Sequence, residues 1–235
     1  MRKGLKNRYI VLLATLSLTA AMVIGFFCWT AFYYKADDTA KAYLTSDTTL
    51  QEKGNLTILP EAGSTTAMIF YPGAKVEETA YLPLLERIRE KAQITVIMVH
   101  MPLHLAFFDG NAADKVMQAY PDIRTWYISG HSLGGAMASQ YAGRHADKIR
   151  GLILMGAYIY GDYPASGTLT LYGSLDTLAR DKITYAENVV CIEGGNHAQF
   201  GNYGRQKGDS DATISREDQQ AQAVRAITKF IDQGS

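Results

Sequence analysis

The sequence predicts an α/β fold: a mostly parallel sheet with helices on both faces, preceded by one transmembrane helix. Three observations carry this. Short unbroken apolar runs recur between residues 67 and 192, runs with helical apolar spacing lie between and after them, and 26 residues, Tyr9–Tyr34, carry no charge. Strands covered on both faces read as continuous apolar runs. Their alternation with helices calls for parallel strands joined by crossovers.

The charge-free run exceeds the ~20 residues a helix needs to cross a bilayer core. Aromatic residues crowd its far end (Phe26, Phe27, Trp29, Phe32, Tyr33 and Tyr34), as at a membrane interface. Arg2, Lys3, Lys6 and Arg8 precede it, whereas Asp37 and Asp38 follow Lys35 closely. The positive-inside rule then keeps the N-terminus in the cytoplasm and the remainder outside. A cleaved signal peptide would have an apolar region of about 7–15 residues ending in small residues. This run is longer and ends in bulky aromatics, which favours an uncleaved anchor. The expected organisation is a cytoplasmic basic tail (1–8), a signal anchor (9–34), a polar tether or lead-in helix (35–48) and an exported domain (49–235).

Two short segments near Leu50–Glu52 and Leu56–Leu59 flank Lys53-Gly54-Asn55 and read as an antiparallel hairpin. The strands of the main sheet are expected at Ala67–Tyr71, Ile94–Val99, Thr125–Ser129, Gly151–Met155, Thr168–Tyr172 and Asn188–Ile192. Helical stripes follow Tyr81, Leu84, Leu85, Ile88 and Ala92, and Ala223, Val224, Ile227, Phe230 and Ile231.

Composition narrows the function classes. The formal net charge is zero, but residues 1–35 hold five basic groups and no acid, leaving 18 basic against 23 acidic residues beyond them. That is no nucleic-acid footprint. Of the two cysteines, Cys28 lies in the apolar segment and Cys191 in an expected buried strand, so no bridge joins them. Neither has the spacing of a zinc site.

Gly130-His131-Ser132-Leu133-Gly134-Gly135 follows a strand-like run and precedes a helix-like one, Ala136–Tyr141. In that context G-x-S-x-G marks a sharp turn that exposes a serine hydroxyl. An activated serine needs a base, and the base an orienting acid. His197, in the loop Glu193–Phe200 past the last expected strand, is the candidate base. His145 sits on a polar helix face, His131 belongs to the turn itself, and His100 and His104 precede the serine. Asp176, after Leu171–Leu175, is the candidate acid ahead of Asp162 and Asp181. Backbone N–H groups that hold a developing oxyanion are worth about 3–4 kcal/mol each. The expected donors are Leu133 and, from the loop Tyr71–Val76, Ala74, with Lys75 as the alternative.

With these residues in place the chain resembles the alpha/beta-hydrolase superfamily, and more narrowly the small bacterial hydrolases of the alpha/beta hydrolase fold-5 family. The narrower match rests on Phe70–Val76, Met101-Pro102-Leu103 and Gly194–Gly204, and the resemblance covers about residues 48–233. It implies an eight-stranded sheet and the triad Ser132, Asp176 and His197. Pro72-Gly73 stands where many esterases have His-Gly.

The connection Gly156–Gly167 is too short for a lid domain, which predicts an open site. Lys75, Met101 and Leu103 are candidate substrate-binding residues, with Leu105, Phe107 and Phe108 as further candidate walls. Tyr158, Tyr160 and Tyr163 are expected to cover one side. The function expected is a membrane-anchored serine hydrolase of a carboxylic ester, needing no metal or other cofactor and acting on a small or lipid-like ester at a bacterial cell membrane. An acyltransferase sharing the acyl-enzyme, and a non-catalytic binding domain, are the rival readings.

Overall fold

Arg2–Ala31 form a single helix, α1. Ala and Leu favour it, and no proline interrupts it. The most apolar 18 residues of its stretch Asn7–Ala31 have a mean hydropathy of 2.4. At 1.5 Å per residue the whole stretch is about 37 Å long, enough to cross a bilayer core. The computed structural model describes residues 2–46 and 49–234, which divide between Tyr33 and Tyr34 into two units. The helix therefore stops short of the end of the charge-free run, and Tyr34 belongs to the second unit.

In the second unit, residues 38–46 form a lead-in helix, α2 (Asp38–Ser46), and residues 47 and 48 lie outside the described residues. The hairpin follows as β1 (Gln51–Lys53) and β2 (Leu56–Leu59), closed by Gly54-Asn55 alone because Lys53 pairs with Leu56. The remaining strands are β3 (Thr66–Tyr71), β4 (Thr95–Val99), β5 (Thr125–His131), β6 (Gly151–Met155), β7 (Thr168–Gly173) and β8 (Val189–Ile192). Helices α3 (Leu82–Ala92), α4 (Ala112–Ala119), α5 (Leu133–Arg144) and α6 (Arg216–Gly234) complete the unit. The sheet order is β1-β2-β4-β3-β5-β6-β7-β8. The β1–β2 and β2–β4 pairs are antiparallel and every other pair is parallel.

The twofold period of the strands divides the core into two layers. Met68, Phe70, Tyr127, Ile153 and Leu171 face α2, α3 and α6. Ala67, Ile69, Tyr71, Ile128, Leu152 and Leu154 face α4 and α5. Both predicted helical stripes pack into the first layer, Ala92 and Phe230 at its margin.

The expectation for Cys191 is corrected here. Its strand is the outermost of the sheet, with β7 as its one neighbour, so Cys191 is exposed. Both cysteines are free.

Candidate active site

The parallel strands all end on one edge of the sheet, and three of them deliver the candidate residues there. Ser132 follows β5 directly and caps α5 with φ 52° and ψ −123°. That backbone is costly for a residue with a Cβ. Close packing holds it in place: a Cβ on Gly134 would lie 2.1 Å from the Tyr71 carbonyl oxygen and 2.3 Å from that of Pro72. The start of α5 therefore presses against the loop after β3, and only glycine fits.

Asp176 lies just past β7 and is fully buried. Its Oδ1 accepts the Leu178 and Ala179 N–H groups, each at 2.9 Å. Its Oδ2 lies 3.0 Å from Nδ1 of His197, which is also buried. Burial pushes the Asp176 carboxyl up. The His197 hydrogen bond and charge and the two amides outweigh it, and the carboxyl titrates below the ordinary carboxylate value. An ionised carboxylate can only accept, so the His197 proton belongs on Nδ1 and the lone pair on Nε2. Nε2 is buried and has no hydrogen-bond partner among the described residues. Room for this pair comes from Gly156, at φ 51°, where a Cβ would stand 2.9 Å from His197 Nδ1 and 3.3 Å from Asp176 Oδ2.

Ser132, Leu133 and His197 line one cleft of about 220 Å³, together with Ala157, Tyr158, Leu178 and Lys182. The Lys182 ammonium lies over the Tyr158 ring, 5.5 Å from its centroid. Asp162 and Asp181 are exposed at the surface. The amides of the β3 loop are used unequally. Gly73 N–H donates to the Tyr81 hydroxyl at 3.1 Å, and Lys75 N–H to the His104 carbonyl at 2.8 Å. The Ala74 and Leu133 amides make no hydrogen bond among the described residues.

The wall expected from Lys75, Met101 and Leu103 does not form: none of them lines the Ser132 cleft. Residues 102–109 coil into two short 3-10 turns, with Leu103 and His104 both at φ 55°. This reversal turns Met101 into the core between the sheet and α4–α5 and leaves Leu103 outside. Phe107 and Phe108 line a separate surface hollow. Of the three tyrosines, Tyr158 reaches the cleft, Tyr160 is exposed, and Tyr163 is buried with its hydroxyl on the Ile149 carbonyl.

Several residues that support the site carried no signal in the motif. His131, fully buried, donates from Nε2 to the His197 carbonyl at 3.0 Å, and its Nδ1 lies 2.8 Å from the Tyr81 hydroxyl. Burial, with His197 nearby, holds His131 well below the usual imidazole range, so it stays neutral. A chain of donors therefore runs Gly73 N–H to Tyr81 O–H to His131, then on to the His197 carbonyl, joining the β3 loop to the histidine loop. A tyrosine on a buried helical stripe needs a partner for its hydroxyl; that was the one available hint of Tyr81.

The histidine loop is also gripped from α6. Gln219 accepts the Asn196 N–H at 2.9 Å and donates to the Asn196 carbonyl at 2.8 Å, while Gln220 donates to Gln199 and Asn202. Asp209 accepts the Ala198 N–H, and burial pushes its own carboxyl up. The residues just before α2 strap both loops. Tyr34 N–H donates to the Lys75 carbonyl at 2.7 Å, and the Tyr34 carbonyl accepts from Glu77 at 2.9 Å. Asp37 N–H donates to Asn202, and its carboxylate pairs with Arg216 at 2.8 Å.

With this arrangement in view, residues 67–221 match the alpha/beta hydrolase family. The chain belongs to that family. Solved structures of similar fold include a carboxyl esterase of the fungus Tuber melanosporum, with a TM-score of 0.60 at 9% identity, covering 85% of this chain and 90% of that one. A monoacylglycerol lipase of Paleococcus ferrophilus has a TM-score of 0.54 at 14% identity and covers 77% and 99%. A hormone-sensitive lipase from a metagenome library has a TM-score of 0.57 at 12% identity and covers 80% and 86%. At these identities the likeness is one of fold. Among curated proteins none matches. Among the described residues no three His, Cys, Asp or Glu side chains gather as metal ligands would.

Proposed function

We propose that this member of the family is a serine hydrolase of carboxylic esters, with Ser132 as nucleophile, His197 as general base and Asp176 as the orienting acid. The observation that carries the reading is the buried His197–Asp176 pair, whose free Nε2 borders the same cleft as a serine held in a strained turn. His197 takes the Ser132 proton through Nε2 as Oγ attacks the ester carbonyl. Asp176 stabilises the imidazolium and fixes the tautomer. The Leu133 and Ala74 amides, which make no hydrogen bond among the described residues, are the donors for the oxyanion. The His197 imidazolium returns that proton to the departing alcohol oxygen as the ester C–O bond breaks. Water activated by His197 then cleaves the acyl-enzyme, releasing the acid and restoring Ser132.

Lipases and an esterase among proteins of similar fold support an ester as substrate. The small cleft supports a short or slender acyl group. Helix α1 is assigned as an uncleaved signal anchor, its basic tail (1–8) cytoplasmic and the hydrolase unit outside the membrane. Its length and hydropathy, and the use of Tyr34–Asp37 as a strap on the site loops, support that assignment.

The test is labelling of the full chain, in a non-ionic detergent, with a fluorophosphonate probe. The full chain is used because a truncation at residue 37 would remove the strap. The parent is expected to label, and Ser132→Ala and His197→Ala are expected to stay dark while keeping the parent's circular dichroism. Labelling that survives in Ser132→Ala would place the nucleophile elsewhere; a folded parent that never labels would favour a binding domain.

A further inference from the structure

Between α3 and α6 lies an open groove of about 710 Å³, within the ~300–1,000 Å³ of small-molecule sites. It sits toward the sheet edge where the strands begin, away from Ser132: α3 leads into β4, and Tyr127 at the start of β5 bonds the Ile231 carbonyl of α6. Arg87 and Lys91 from α3 and Arg225 and Lys229 from α6 line it, against one carboxylate, Asp232. None of the four cations makes an ion pair among the described residues. Lys91, in the last turn of α3, also offsets the helix dipole. Arg225 and Lys229 instead form an i,i+4 pair of like charges, which costs an isolated helix stability.

The floor of the groove is apolar, formed by Val224 and the alkyl stems of the long side chains. Two polar atoms at the groove, Arg87 Nη1 and Thr228 Oγ1, are buried without a hydrogen-bond partner. A solvated basic face would leave such donors in water, whereas a buried donor without an acceptor is destabilising.

We infer that this groove binds a single-chain amphiphile with a carboxylate head, of the long-chain fatty carboxylate class. An apolar floor selects a tail and a cationic rim an anion. A guanidinium fork matches the two oxygens of a carboxylate in a bidentate bond. The inference stands independently of the chemistry proposed at Ser132.

The test is calorimetric titration of the full chain, held in phosphatidylcholine nanodiscs, with sodium decanoate. Empty nanodiscs serve as the blank, and decanol and acetate as ligands that keep only the tail or only the head. Decanoate is expected to saturate one site per chain, and decanol and acetate to bind at least tenfold more weakly. Arg87→Gln is expected to weaken decanoate about tenfold, the loss of one charge-assisted hydrogen bond. The double variant Arg225→Glu/Lys229→Glu, at two exposed positions, is expected to weaken it about 100-fold with an unchanged thermal midpoint. Unaltered decanoate binding in the folded double variant would overturn the groove as the site. Equal binding of decanol or acetate would overturn the assigned ligand class.

Discussion

The elbow around Ser132 and the loop around His197 meet in one cleft, yet they are built in opposite ways. The elbow is local: β5, Ser132 and α5 are consecutive, and glycines at fixed offsets let helix and strand approach. The histidine loop has no regular element of its own beyond a single 3-10 turn at Ala198–Phe200. It is held by Gln219 and Gln220 of α6, by His131 of the elbow, by Asp209 and by the strap before α2. Ser132 is thus placed by short-range backbone geometry, and His197 by contacts between distant segments.

Breaking the elbow has the largest expected effect. Gly134→Ala drives a Cβ into the Tyr71 and Pro72 carbonyls, backbone atoms with no room to yield. The expected cost is about 3 kcal/mol or more, read as a lowered denaturation midpoint with loss of fluorophosphonate labelling. A variant that keeps both would show that the elbow tolerates a different path.

Loosening the loop should be milder for stability and more selective for function. Gln219→Ala leaves the Asn196 amide and carbonyl without their partner, at a cost of about 2 kcal/mol. With His197 as the proposed base, its displacement is expected to lower the labelling rate about 100-fold. An unchanged labelling rate at that stability cost would assign Gln219 to the fold alone.

The smallest expected effect is in pH. Asp176 titrates below its ordinary value of 3.8 in the fold. The stability its ionised form adds is therefore complete above that ordinary value and drains away as pH falls through the lower folded value. The gap in thermal midpoint between the parent and Asp176→Asn is expected to narrow from about pH 5.5 to about pH 3. A gap that widens on acidification would contradict an ionised Asp176 beside His197.

Much of this was legible in advance. The six main strands follow apolar runs that stand within one or two residues of their expected bounds, because burial on both faces demands uninterrupted apolar sequence. That Ser132, Asp176 and His197 would come to one edge of the sheet was legible because each lies just beyond a strand. The failures share a cause. Met101 and Leu103 follow a strand end in the same way, but left-handed backbone at Leu103 and His104 turns them from the cleft. Cys191 lies in an apolar run yet on an outermost strand.

By itself, then, the sequence determined the α/β class, the helix long and apolar enough to cross a membrane, and the strained serine turn, all set by interactions within a few residues along the chain. Only the tertiary structure decided strand order, which wall residues face the cleft, and which amides of the β3 loop and the start of α5 make no hydrogen bond among the described residues. It also decided that Tyr81, His131, Gln219 and Tyr34 converge on two loops. Those outcomes depend on contacts between residues tens to more than a hundred positions apart, for which spacing along the chain carries no record.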